Sequence, residues 1–194
     1  MAMIDPTARP TLQLLPIVQL LHAGGVDWVL TGSTVLTIYG AELIPNDLDV
    51  TPSLDPDNLQ RLAAALHDID AVPAFIPQWR DGLSLAECQA WTPHPATAQN
   101  LDHLFVTRLG MIDVPPRLCG TYEDLIKDAT RVDVGGIPIA VCALSEVLTR
   151  LRGRSRAKDQ QRAAIYQQMA SHPPDQLAPT GVSWLLSQLS DRAK

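Results

Sequence analysis

Apolar and polar positions repeat along this chain with two periods, and the switches between them mark its elements. From Thr11, the apolar positions Leu14, Leu15, Ile17, Val18, Leu20 and Leu21 predict a helix with Pro16 in its first turns, ended by Gly24-Gly25. Trp28 to Leu30 is a short apolar run that stops at Gly32-Ser33. Val35, Leu36 and Tyr39 then return at helical spacing until Gly40, so the pattern reads strand, tight turn, helix. Asp47 to Thr51 alternates with a period of two and predicts a strand. After it, Asp55 can cap a helix with Pro56 at its first position and Leu59, Leu62, Ala63, Leu66 and Ile69 along one face.

Residues 72–100 resist the same treatment. They carry Pro73, Pro77, Pro93 and Pro95 with exposed-looking Trp79 and Trp91, and read as a packed connection with a short helix around Ser84 to Ala90, or as a substrate-facing insertion. Leu104 to Val114 predicts two short strands joined near Gly110, or one bent strand. Thr121 caps a short acidic helix, and Arg131 to Val141 is a hairpin turning at Gly135-Gly136, with Pro138 placing its strand at an edge or a bulge. Helices follow at Glu146 to Leu151 (capped by Ser145), at Arg156 to Met169 (broken by Pro173-Pro174), and at Val182 to Leu189. Strands and helices so mixed predict an α+β chain: a mixed sheet flanked by helices, with a core over 11–142 and a C-terminal helical subdomain over 143–194.

Composition narrows the class. At 194 residues and 46% hydrophobic, the chain can bury one sizeable core. No apolar run is long enough to span a bilayer and the N-terminus has no basic stretch leading into an apolar one, so we expect a cytoplasmic protein without membrane contact. A net charge of −6 argues against a protein that coats nucleic acid nonspecifically. The cations are uneven, however: Arg150, Arg152, Arg154, Arg156, Lys158 and Arg162 hold six of the fifteen Lys and Arg. That cluster is either a solvated helical face or an inter-helix turn suited to a triphosphate or an RNA end. Cys88, Cys119 and Cys142 have no metal-site spacing and read as inert core thiols, and the five histidines form no ligand pair at helical spacing.

The candidate chemistry lies between Gly32 and Val50. A helix opened by Gly32-Ser33 offers free backbone N–H groups and a hydroxyl, which suit a phosphate. The period of the next strand sends Asp47 and Asp49 to one face, where two carboxylates repel each other unless a cation lies between them; hard oxygen ligands at that spacing favour Mg²⁺. The plainer alternative is a capping serine and two solvated strand-edge aspartates. Asp113 lies inside an apolar strand, where a carboxylate needs a partner. Asp102 and Asp133 compete with it as a third acid.

Gly-Ser followed by Asp-x-Asp about fifteen residues later, with a distant third Asp, resembles the polymerase-β-like nucleotidyltransferase superfamily. Within it, the chain is most similar to AbiEii-type nucleotidyltransferases, which include toxins of mycobacterial toxin–antitoxin pairs. Leu144-Ser145-Glu146 with Arg150, then Arg156-Ala157-Lys158-Asp159, match that family's C-terminal pattern, with Arg150 standing where a lysine is usual. Leu43 and Pro45 occupy the region where many relatives carry an Arg and a Thr.

The resemblance implies the polymerase-β-like fold and a Mg²⁺-dependent transfer of nucleotides from an NTP to an RNA acceptor, the tRNA 3′ end, blocking translation and neutralised by a cognate antitoxin. It assigns Gly32, Ser33, Arg150 and Lys158 to the nucleotide, and Asp47, Asp49 and Asp113 to metal. Lys158 and Asp159 join those three aspartates in catalysis. Transfer to a small molecule such as an aminoglycoside, or to a protein, and a non-catalytic module of the same fold are the alternatives.

Overall fold

The computed structural model describes residues 4–79, 81–151, 159–160, 162–172 and 177–192. In chain order these form α1 (Leu14–Ala23), β1 (Trp28–Thr31), α2 (Ser33–Ile38), β2 (Asp47–Pro52), α3 (Pro56–Asp68), β3 (Val72–Pro73), α4 (Leu85–Ala90) and α5 (Ala98–Leu101). They continue through β4 (Leu104–Thr107), β5 (Gly110–Asp113), α6 (Tyr122–Leu125), β6 (Thr130–Val134), β7 (Ile137–Val141), α7 (Leu144–Leu151), α8 (Ala163–Ala170) and α9 (Val182–Arg192).

Among the described residues, seven strands make one mixed sheet in the order β3-β4-β5-β2-β1-β7-β6. β2 runs parallel to β5 and antiparallel to β1, and β1 meets β7 in parallel at Leu30 opposite Val141. The α+β class with a helix-flanked mixed sheet is therefore as the pattern predicts. β4 and β5 are two antiparallel strands rather than one bent strand, closing with Thr107 opposite Gly110. Gly110 is required there: its φ is +117°, and a Cβ would come within 2.6 Å of the Leu12 Cα.

Local chemistry explains the element ends. Asp55 accepts from the Asp57 and Asn58 N–H groups at 2.9 and 3.3 Å, and so caps α3. Asn58 is wholly buried yet satisfied: its amide donates to Asp27 O and Ser53 O and accepts from Asp27 N–H, tying α3 to the approach to β1. The β6–β7 turn places Gly135 and Gly136 at φ +64° and +89°.

Two expectations need correction. Pro138 does not put its strand at the sheet edge; β7 lies between β6 and β1, and β6 is the edge. Proline is tolerated because β1 registers only with the far end of β7, at Val141. Trp91 is not an exposed side chain either. Its indole N–H donates to Asn100 O at 3.1 Å and its ring packs 4.9 Å from Phe105, so 72–100 is a packed connection. Within it, Ser84 and Glu87 form a reciprocal cap on α4. Trp79 is 55% exposed, as expected.

The helices after β7 bury into the same core as the sheet: Leu144, Val147, Met169, Leu185 and Leu189 belong to the cluster that holds Leu30, Leu48 and Ile112. Gly181, just before α9, donates its N–H to Ile38 O at 2.8 Å and lies so close to the end of α2 that a Cβ would overlap Thr37 O. Arg152, Arg154, Arg156 and Lys158, and the Pro173-Pro174 break, lie outside the described residues.

Candidate functional site

The parallel pairing of β2 with β5 decides which side chains share a face. Asp49 registers with Asp113 and Asp47 with Met111. Since register partners point the same way and side chains alternate, Asp47, Asp49 and Asp113 all project from one face, and the Asp49 and Asp113 backbones are only about 4.8 Å apart. Leu48, Val50 and Ile112 point the other way and are buried at 0% exposure. The same polar face continues inward to Thr31 and Thr51, whose hydroxyls bond each other at 3.3 Å, with Thr31 also reaching Asp49 O.

Gly32 stands at the head of this face. Its φ of +69° belongs to the left-handed region, and a Cβ on it would occupy the space of the Asp49 carboxyl and lie 2.8 Å from the Asp49 Cβ. Only glycine lets the chain turn from β1 into α2 against that carboxylate. The helix it opens has six residues, so its dipole is short and individual N–H groups matter more. The Gly32 N–H lies toward the Cys119 sulfur, and Ser33 is the polar side chain of the turn that lines the cleft.

A cavity of about 90 Å³ gathers Gly32, Ser33, Asp47, Asp49 and Asp113, from β2, β5 and the turn into α2, with Arg150 and Asp159 from α7 and the segment beyond it. Of the competing acids, Asp133 is used in the hairpin, where its carboxylate accepts from Gly136 N–H at 2.9 Å, and Asp102 precedes β4; neither lines the cavity. Asp159 is a buried carboxyl side chain, 4% exposed. Lys158, which the resemblance assigns to the nucleotide and to catalysis, lies outside the described residues.

Three polar lining residues, Arg162, Tyr166 and Cys119, are not among the site residues that the sequence pointed to. Arg162 belongs to the cation cluster, and Tyr166 follows it by one helical turn, so their i, i+4 spacing was a usable signal. Cys119 sits in an aperiodic loop after Pro115-Pro116, where no pattern pointed to it. Its thiol is held below the ordinary range, first by contact with the Cys142 thiol, with help from the Arg150 charge and the Gly32 N–H.

Among the described residues, no three His, Cys, Asp or Glu side chains form a ready cage for a metal. Mg²⁺ does not ask for one, since it is commonly held by one or two carboxylates, its remaining positions going to water and substrate phosphate. The Asp49–Asp113 pair, with Asp47 beside it, offers hard oxygens only and fits such an ion. A second cavity, about 680 Å³, adjoins the first across Leu118 and Cys119 and is lined by Asp124, Asp128 and Glu146 as well as Arg117 and Lys127. No helix among the described residues is long and apolar enough to cross a membrane. No protein-family model, curated protein or solved structure matches the chain.

Proposed function

We propose that this chain is a nucleotidyltransferase of the polymerase-β-like fold that moves a nucleotide from an NTP to an RNA 3′ hydroxyl. The observation that carries the reading is the register of Asp49 with Asp113 beside the Gly32-Ser33 turn, which gathers three carboxylates and a phosphate-sized turn at one end of the sheet. Asp47, Asp49 and Asp113 would hold Mg²⁺, which when bound neutralises charge on the attacking and leaving oxygens.

The chain's own residues supply positioning. Ser33, through its hydroxyl, steadies the terminal phosphates, and Arg150 and Arg162 offset the triphosphate charge. The family's Arg and Thr are absent here. Leu43 is instead a core residue, 6% exposed, whose carbonyl accepts from Thr37 at 2.7 Å, so charge neutralisation falls to these two arginines. An Asp113 carboxylate oxygen accepts the proton of the incoming hydroxyl, the oxygen–phosphorus bond forms in line, and pyrophosphate leaves. A cavity of about 90 Å³ is well below the usual volume for a whole ligand, so it fits the phosphate end, with ribose and base extending outward.

RNA as acceptor, tRNA in particular, and an antitoxin as regulator rest on the resemblance to the AbiEii-type toxins. A second acceptor class has one observation in its favour: the adjoining 680 Å³ cavity is of small-molecule size, and its three carboxylates outnumber the Arg117 and Lys127 cations, which suits a cationic drug. The deciding experiment incubates the chain with each NTP labelled at its α-phosphate, Mg²⁺ and total RNA, beside Asp49→Ala. Label at tRNA size, lost in the variant, is the expected result. Unlabelled RNA with a labelled aminoglycoside supports the second acceptor, and no transfer to anything sinks both.

A further inference from the structure

Cys119 and Cys142 reach the same point from different elements. Cys142 follows β7 directly, and its backbone N–H donates to Leu30 O at 2.9 Å, which fixes it beside the end of β1. It is fully buried, its S–H donates to the Ala143 carbonyl at 3.4 Å, and Ala143 lines the 680 Å³ cavity together with Cys119, so that the two thiols are near enough to perturb each other. Cys119 arrives on the loop before α6. It is half-buried, lines both cavities, and has the Gly32 N–H turned toward it. One sulfur is therefore reachable from solvent through two openings, and the second is held behind it in the core. Cys88 is the internal contrast: it is buried in α4, and burial first, then Glu87, pushes its thiol up.

We propose that Cys119 and Cys142 form an oxidisable dithiol at the candidate site, a modification site for peroxide-class oxidants. The Cys119 thiolate attacks a peroxide oxygen, the O–O bond breaks, and sulfenic acid forms with release of water. The Cys142 thiol then attacks the sulfenic sulfur, the S–O bond breaks, a second water leaves, and a disulfide joins the residues. In balance, two thiols are oxidised to a disulfide and one molecule of hydrogen peroxide is reduced to two of water. Arg150 favours the attacking thiolate, while Cys119 and burial push the Cys142 thiol well up, so Cys142 resolves as a neutral thiol whose proton leaves with the sulfenic oxygen as water.

The bond has a consequence at the site. Cys119 would turn its sulfur from the Gly32 N–H toward β7 and draw Leu118 with it, changing the wall shared by the two cavities. Gly32 has little freedom to follow, because its left-handed backbone is packed against Asp49. Oxidation therefore lowers nucleotide transfer; this second claim alone rests on the function proposed above.

The test treats the full chain with graded hydrogen peroxide, alkylates remaining thiols, and maps peptides by mass spectrometry. Expected is a species lighter by two hydrogens in which the Cys119 and Cys142 peptides are linked, Cys88 stays alkylated, and dithiothreitol restores all three thiols. In Cys142→Ser, dimedone should trap sulfenic acid at Cys119. Should that variant fail to fold, the wild-type map decides by itself. Oxidation of Cys119 no faster than of Cys88, or oxidation that leaves Cys142 open to alkylation, overturns the proposal. Transfer should fall in proportion to the disulfide and return on reduction. A disulfide without loss of transfer overturns the regulatory claim, and absence of transfer in the reduced protein overturns the functional reading while the mass result still judges the dithiol.

Discussion

Gly32 shows how much one residue can fix. Its positive φ and its contact with Asp49 are separate demands, and both exclude a side chain. Gly32→Ala should destabilise the chain by about 1–3 kcal/mol from backbone strain alone, read by urea unfolding. It should also displace Asp49 and cut transfer more than the stability loss explains; a variant with unchanged unfolding would contradict the account of the turn. This residue was legible in the sequence because a strand, a Gly-Ser turn and a helix leave a local signature. The same is true of Asp47 and Asp49, whose spacing alone puts them on one face. Cys119 was not legible, since its place depends on a loop packing against a turn nearly ninety residues away.

At the scale of elements, periodicity placed most helices and strands, but pairing decided what they are for. Nothing local in Gly110–Asp113 says that its neighbour is β2 in parallel, and that register is what sets Asp113 beside Asp49. Pro138 misled for the same reason, since edge status belongs to the sheet rather than to the strand. Where the packed segment 72–100 meets β4, one group is testable. His103 lies edge-on to Trp91 and Phe105, at 6.4 and 5.7 Å, and burial pulls its pKa below 6.5 despite the opposing charge of Asp102. The unfolded chain therefore binds the proton more readily than the folded one. His103's contribution is fully present above 6.5 and is lost as pH falls from there toward its folded value. Urea midpoints at about pH 7.5 and about pH 5.5 should fall further for the wild type than for His103→Gln; equal falls would mean that burial does not govern this group.

Across the whole molecule, the candidate site depends on helices far along the chain. α9 docks on the C-terminal end of α2 through Gly181 and buries Leu185 completely, so the helix that Ser33 opens is held at its far end. Leu185→Ala should cost about 2–5 kcal/mol by denaturant unfolding, and a loss below about 0.5 kcal/mol would show that α9 is peripheral. Arg150 and Asp159 of the cleft come from the chain after β7, so sheet and helices together line it. The central claim is that this cleft binds an NTP through a divalent ion on the paired aspartates. Its most direct test is calorimetric titration of an NTP into the chain with Mg²⁺ and again with EDTA, for the wild type, Asp49→Asn, Asp113→Asn and Asp133→Asn. The account predicts saturable binding that needs Mg²⁺, disappears in Asp49→Asn and Asp113→Asn, and survives in Asp133→Asn. NTP binding indifferent to Mg²⁺, or equal in the Asp113 and Asp133 variants, would contradict it.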